Sequence, residues 1–391
     1  METTDCLNWI SPEKVYGSSI LRIATQFAYV HADTRVLPIS EAFNRHPDLL
    51  AVAITDKDDR TIGLLTRSQL FSLLGKPFGR EIIARKQVSE IAEEAQFFDK
   101  HTNLFQVASS INDEVIDSKL RFFLLSDNQK KFGGIFSSKD LLVFLSRMTQ
   151  DDIELGSRLQ ERMVKPLDSW QAKGWQAHAF SKSAKGVGGD FHFHKELGDD
   201  KHFFAIGDVS GKGVAASILT SLLWGILTSF DYRRGLRELL MHLNESLIRT
   251  FQLEKYLTGL FLVYDRKKQQ LKIADMGHGH AAVVRNGTFR ALQLPGLNLP
   301  LGIELGIEPQ IFRLKLVPGD LIISYTDGIT EQENASGSEF GEENLTVFVT
   351  EHLSNPDTIP GALLQTITEW RGNLPQHDDM TWLQLSILDK E

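Results

Sequence analysis

Four aspartates stand beside glycines or turn residues, each next to an apolar run. They are Asp190 in Val187-Gly188-Gly189-Asp190-Phe191, Asp208 in Ile206-Gly207-Asp208-Val209-Ser210-Gly211-Lys212-Gly213, Asp327 in Tyr325-Thr326-Asp327-Gly328, and Asp378 in His377-Asp378-Asp379-Met380-Thr381. A carboxylate at the end of a buried strand is within reach of solvent while the scaffold holds it still. If the four converge, they repel: at ~5 Å and an effective dielectric of about 20, each pair costs roughly 3 kcal/mol. Hard divalent cations with oxygen ligands are the natural remedy. About two such ions would balance about four carboxylates.

Taken singly, each segment has a plainer reading. Asp327-Gly328 reads as a turn, and Asp208 as a cap for the helix after Gly211. His278 reads as a structural hydrogen-bonding histidine rather than half of a zinc pair with His280. Lys212 does not belong to a phosphate loop: Gly207 is one residue too close and Gly213 replaces the required hydroxyl. It reads as a surface or substrate-steering cation.

The elements that must position these residues are mostly strands. Phe203 to Ile206 runs into Gly207-Asp208, and Leu321 to Tyr325 runs into Thr326-Asp327. Leu257 to Tyr264 and Leu271 to Ala274 form a hairpin pattern. Ala281 to Arg285 and Thr288 to Leu292 flank Asn286-Gly287, a strong two-residue hairpin signal. Met380 to Leu388 reads as a final strand. Helical patterns cover 214–230, 236–251, 342–352 and 360–370. Many antiparallel strands with helices in a few blocks predict an α+β layered fold.

At 391 residues the chain is long enough for two or three domains. Its 42% hydrophobic and 24% charged content describes globular cores. A net charge of −9 argues against an electrostatic nucleic-acid binder and gives no anionic-membrane signal. The single cysteine, Cys6, excludes an internal disulfide and a thiolate-rich zinc site. The first residues do not read as a secretory signal. The longest apolar stretch, 214–230, holds three serines and two threonines and is shorter than the ~20 residues a span needs. A cytoplasmic location follows as the expectation.

The first third repeats itself. Ala51 to Gly75 and Phe122 to Ser146 align without gaps at an offset of 71. Each predicts strand, turn, strand and helix, with Thr66 and Ser137 as N-caps. One copy cannot bury its sheet face alone, so the two are expected to pack together. Residues 151–165 then predict a helix with Leu155, Leu159 and Met163 on one stripe, stopped by Pro166. Two readings of that stripe stand: a helix partner, in this chain or in a second copy, or packing on its own domain.

The repeat resembles a tandem pair of cystathionine-β-synthase-type (CBS) domains over residues 14–147. The resemblance implies an adenine nucleotide at a Thr/Ser with an Asp three residues on. Ser137 and Asp140 keep that spacing, whereas Thr66 is followed by Gln69. The same residues also read as plain helix caps.

The ordered motifs around Asp190, Asp208 and Asp327, with Gly277-His278, Pro318-Gly319-Asp320-Leu321 and Asp378-Asp379-Met380-Thr381, resemble the metal-dependent protein phosphatases (PPM). Within them they resemble the bacterial SpoIIE/RsbU-like branch. The resemblance implies an α-β-β-α fold, a two-sheet antiparallel β-sandwich flanked by helices, over 167–391. A linker helix over 148–166 is expected ahead of it, and the resemblance implies two Mn²⁺ or Mg²⁺ ions. Asp208 would bridge them, the Val209 carbonyl and Asp190 (directly or through water) would hold one, and Asp327 and Asp378 the other, with Asp379 either a secondary ligand or a residue supporting the ligands from behind. Such ions, about 3.5–4 Å apart, would activate water for hydrolysis of phosphoserine or phosphothreonine. The expected partner is a phosphorylated regulatory protein of the anti-anti-sigma (STAS) type. Phe193 replaces a further acid common in this branch, Asp275-Met276-Gly277-His278 replaces Asn-Ala-Gly-His, and Ser210 replaces a His found in eukaryotic relatives. The alternative is therefore a catalytically degenerate phosphatase fold that binds a partner.

Overall fold

The computed structural model describes residues 6–15, 17–111, 120–198, 200–294 and 298–389. These fall into two compact units, Met1–Gln150 and Asp151–Glu391.

The first unit carries β1 (Asn8–Trp9), β2 (Ala28–His31), α1 (Val36–Arg45), β3 (Ala51–Thr55), β4 (Thr61–Thr66), α2 (Arg67–Leu74) and α3 (Gly79–Ile83). It continues with β5 (Phe97–Asp99), α4 (Leu104–Ser110), β6 (Phe122–Ser126) and β7 (Phe132–Ser137). The internal repeat extends to the hydrogen-bond register. Ala51 pairs with Thr66 and Ile54 with Gly63; 71 residues on, Phe122 pairs with Ser137 and Leu125 with Gly134. Even the register shift recurs, after Ile54 and after Leu125. Each hairpin also takes a parallel strand, β2 beside β3 and β5 beside β6, reached through α1 and α4. Those strands and helices lie outside the aligned segments. Ala51, Ala53 and Leu64 share one buried cluster with Leu124 and Ile135, so the two copies cover each other.

Helix α5 runs from Ser138 to Gln160. The expected separate linker helix at 151–165 is instead the second half of this helix, and it stops five residues earlier. No glycine or proline interrupts 138–155, so Asp151 and Asp152 continue a helix rather than start one.

The second unit carries β8 (Leu167–Ala172), β9 (Trp175–Lys182), β10 (Phe191–Gly198), β11 (Lys201–Val209), α6 (Val214–Ser229), α7 (Leu236–Phe251), β12 (Leu257–Asp265) and β13 (Gln270–Met276). It continues with β14 (Ala281–Arg285), β15 (Thr288–Ala291), β16 (Phe312–Lys315), β17 (Leu321–Tyr325), α8 (Asp327–Thr330), α9 (Gly341–Glu351), α10 (Ile359–Arg371) and β18 (Met380–Ile387). One sheet has the order β10-β11-β12-β13-β16, the other β15-β14-β17-β18-β9-β8, and the strand pairs are antiparallel. Asn286 and Gly287 both have positive φ, 52° and 75°, as the tight hairpin turn requires.

Three cores hold this unit. Leu236, Leu239, Leu240, Leu243 and Leu247 of α7 form a helical stripe that packs with α6 on Phe203, Ala205 and Phe261. Phe204, Ile206 and Leu260 meet Ala177, Ile322 and Leu383 of the other sheet. Helices α9 and α10 close over Ile323, Tyr325 and Trp382. Phe193, which stands where the resemblance implied an acid, is buried in the first of these cores. Asp320, in one of the matched motifs, is structural. It accepts from Arg285 Nε at 2.7 Å and Nη2 at 2.6 Å, and from the Val317 N–H at 2.8 Å, which fixes the turn into β17.

Candidate metal centre

The aspartates come from four separate segments. Asp190 immediately precedes β10, Asp208 is the penultimate residue of β11, Asp327 opens α8, and Asp378 and Asp379 precede β18. Strand pairing brings the first two together, since Phe191 lies opposite Gly207. Asp208 itself pairs with Thr258 inside the ladder, so the carboxylate stands on a strand rather than in the following loop. The fold thus gathers Asp190, Asp208, Asp327, Asp378 and Asp379 at one locus.

The electrostatics follow from that crowding. Burial first, and then the charges of Asp327, Asp378 and Asp379, push the Asp208 carboxyl up to about 7. Burial, with Asp208 and Asp379, holds Asp190 well above the usual carboxylate range, against hydrogen bonds from Thr326 and Thr381. The Thr326 hydroxyl donates to Asp190 Oδ2 at 2.7 Å. Burial also raises Asp379, although its oxygens accept from the Ala184 N–H at 2.8 Å and the Gly189 N–H at 2.7 Å. Asp379 therefore anchors the loop that carries Asp190, the supporting one of the two roles the sequence left open.

This donor set suits a hard cation. It consists of oxygen atoms, and burial together with the neighbouring acids holds the Asp190, Asp208 and Asp379 carboxyls above the usual carboxylate range. The Val209 carbonyl joins it: a Cβ added to Gly189 would lie 2.8 Å from that oxygen and 3.3 Å from Asp208 Oδ1. Asp190, Asp208, Val209, Asp327 and Asp378 are the residues that would hold ions. As they stand, no three His, Cys, Asp or Glu side chains among the described residues are arranged as a ligand cage. Lys212 Nζ lies 2.6 Å from Asp378 Oδ2, so an ion at Asp378 must compete with an ammonium. Lys212 is exposed, as a surface cation should be, and it is at the same time the counter-ion of Asp378.

Metal uptake would have to release protons here below about pH 7, which would set its pH dependence. An acid raised from 3.8 to about 7 in the fold binds more protons folded than unfolded across that window. Through this group, stability without metal falls as pH rises from about 4 to 7, while cation affinity rises, by about tenfold per pH unit for each proton displaced. The thermal shift given by 1 mM Mn²⁺ (on the order of millimolar, chosen to exceed Kd) is expected to be larger at pH 7.5 than at pH 5. A larger shift at pH 5 would contradict the carboxyl assignment.

The other flagged residues have structural roles. Ser210 Oγ accepts from the Tyr256 N–H at 3.0 Å. Asp275 accepts from the His278 N–H at 2.7 Å and closes the turn into β14. His278 is buried, and burial followed by the neighbouring His280 lowers it to about 3, so it is neutral. In the first unit, Thr66 and Ser137 both cap helices, accepting from the N–H groups of Gln69 and Asp140 at 3.2 Å. Asp140 Oδ2 accepts from the Ser137 N–H, Ser137 Oγ and Thr25 Oγ1. A cavity of about 780 Å³ in that unit is lined by Thr66, Gln69, Glu93 and Arg121, and not by Ser137 or Asp140.

Residues 198–388 match the family model described as Stage II sporulation protein E (SpoIIE). The chain is 25% identical over 260 residues to phosphoserine phosphatase RsbU of Bacillus subtilis, covering 65% of this chain and 75% of RsbU. It is 24% identical over 260 residues to protein IcfG of Synechocystis, covering 59% of this chain but 41% of IcfG, so it spans about two fifths of that relative. Among solved structures, the PP2C domain of SiaA from Pseudomonas aeruginosa aligns with a TM-score of 0.53 at 21% identity, over 63% of this chain and 99% of that domain. By sequence the C-terminal unit is similar to the SpoIIE- and RsbU-type phosphatases, and its mixed α+β fold is that of a PP2C domain. No helix among the described residues is long and apolar enough to cross a membrane.

Proposed function

We propose that this chain is a Mn²⁺- or Mg²⁺-dependent protein serine/threonine phosphatase controlled by its N-terminal repeat. The single observation that carries the reading is the convergence of five aspartates, from four segments, on one locus where Asp190 and Asp208 are both pushed up. In this reading Asp208 bridges two ions, Asp190 and the Val209 carbonyl hold one, Asp327 and Asp378 hold the other, and Asp379 keeps the Gly189 loop in place. The ions would supply an acidified water and positive charge for the phosphoryl oxygens. Thr326 orients the Asp190 carboxyl through its hydroxyl.

The proposed substrate is a phosphorylated STAS-type regulator, by analogy with the relatives, and the proposed location is the cytoplasm. The N-terminal repeat is proposed as a CBS-like sensor. A nucleotide ribose at Ser137 and Asp140 would compete with Thr25 for the carboxylate. A homodimer is proposed through α5, on which Leu155 and Leu159 are each 51% exposed. One observation favours the alternative of a degenerate binding domain: Lys212 already neutralises Asp378.

The test is phosphate release from a phosphoserine-bearing STAS protein with and without Mn²⁺. The expected result is turnover that appears with Mn²⁺ and vanishes with chelator. Tight binding of the phosphoprotein without turnover would favour the degenerate reading.

A further inference from the structure

The two hairpin turns of the N-terminal repeat meet each other, and they meet cation to cation. Each turn is built the same way. Asp56 Oδ1 accepts from the N–H groups of Asp58 and Arg60, both at 2.9 Å. In the second copy Asp127 Oδ1 accepts from the N–H groups of Gln129 and Lys131, both at 2.9 Å. The first acid of each turn is thus engaged by backbone. Arg60 then stands directly opposite Lys131 in an antiparallel bridge, and the Thr61 N–H donates to the Lys130 carbonyl at 2.9 Å. Like charges facing each other across a strand pair repel. No ion pair among the described residues relieves them; those of this unit are Lys86 with Glu90 and Lys100 with Glu13. Lys130 adds a third charge. Its φ is 62°, at the position where the first copy has Asp59 with φ 61°. That left-handed backbone suits Asp or Asn and is uncommon for Lys.

A cavity of about 1180 Å³ opens on Arg60, Lys130 and Lys131 and is lined also by Asp56, Asp58 and Phe97. Thr61, on the same wall, is buried, and its Oγ1 has no hydrogen-bond partner. Phe97 and Ile62, 41% and 47% exposed, give the cavity an apolar side. It is not the place where Thr66 and Ser137 cap their helices. Those residues end β4 and β7, about 17 Å along the strands from the turns. We propose that this junction is a binding site for a diphosphate group, inorganic or carried by a nucleoside. The Arg60 guanidinium offers a fork of donors that matches phosphate oxygens, and the two lysines add point charges. Two linked phosphoryl groups can meet cations on both turns at once. Asp58 stands on the same wall, so a weakly charged ligand gains little there. Once bound, the diphosphate would relieve the facing charges and tie the two copies together at their turns. The site stands apart from the metal centre and does not depend on it.

The test is isothermal titration calorimetry of the full chain with inorganic pyrophosphate and with UDP, in chelator so that no metal-bound site competes. The wild-type chain is expected to bind at least one of them with a Kd below about 1 mM. Arg60→Gln and Lys131→Gln are each expected to weaken binding by about tenfold or more, and the double variant to abolish it. Removing one charge of a facing pair should raise the melting temperature without ligand, so lost binding is distinguishable from lost fold. Ser72→Glu makes the same change of charge in the separate cavity of about 780 Å³ and should leave affinity within about twofold. Equal affinity for the two ligands would name the diphosphate alone as what is recognised. Tighter binding of UDP, with the gain lost in Phe97→Ser, would name a nucleoside diphosphate. No saturable binding of either, binding that survives the double variant, or a Ser72→Glu loss as large as that of Arg60→Gln would overturn the proposal.

Discussion

Asp208→Ala is expected to lower Mn²⁺-dependent phosphoester hydrolysis by on the order of 10³-fold, equivalent to about 4 kcal/mol of transition-state stabilisation. Asp208 is the carboxylate that feels every other acid in the cluster, which makes it the residue on which both proposed ions depend. The same substitution removes a buried, repelled carboxyl from the metal-free fold. It should therefore raise the melting temperature without metal, by about 2–4 °C for a relief near 1 kcal/mol. Gain of stability with loss of turnover is the signature of a functional residue. Loss of both, measured by thermal denaturation beside the activity assay, would make Asp208 a structural group.

Gly328→Ala is expected to destabilise the C-terminal unit by about 3 kcal/mol, measured by urea unfolding. A Cβ at this position would lie 2.0 Å from the Asp379 carbonyl oxygen. That oxygen cannot step aside. The strand it leads into is tied by the Thr381 N–H to Thr326 Oγ1 at 2.8 Å and by the Thr326 N–H to the Thr381 carbonyl at 3.0 Å. Relief has to come from α8, which moves Asp327 away from Asp378. Mn²⁺ affinity should fall by at least about tenfold with it. Gly361→Ala is the contrast. A Cβ there meets nothing within 4 Å and the site is helical, so a gain of about 0.5–1 kcal/mol is expected. Equal responses at the two positions would mean that the close approach at Gly328 is not what holds α8.

Much of this centre was legible in the sequence because its parts are local. Apolar runs ending at Asp208 and before Asp327 are strands β11 and β17, and Asn286-Gly287 turns as its composition dictates. Helices α6, α7, α9 and α10 begin and end within a residue or so of the amphipathic patterns. What stayed hidden depends on partners far apart in the chain. Gln160 reads as one more polar helix residue, because its partner is a backbone 28 residues away. Lys212 reads as a surface or substrate-steering cation, and its pairing with Asp378 shows only when the fold brings the two together. Thr326, beside Asp327, carried the clearest unused signal: a buried hydroxyl next to a carboxylate motif is well placed to serve another acid, and it serves Asp190. The start of α5 was missed for a different reason. Acidic pairs such as Asp151-Asp152 mark helix starts only when something upstream breaks the helix, and nothing there does.

The most direct measurement is an anomalous difference map from crystals of the full chain grown with Mn²⁺. The account predicts two peaks about 3.5–4 Å apart, both within coordination distance of Asp208 and flanked by Asp190 and Asp327, and both lost in Asp208→Ala. The absence of any peak among these aspartates at saturating Mn²⁺, or peaks that survive that substitution, would contradict it.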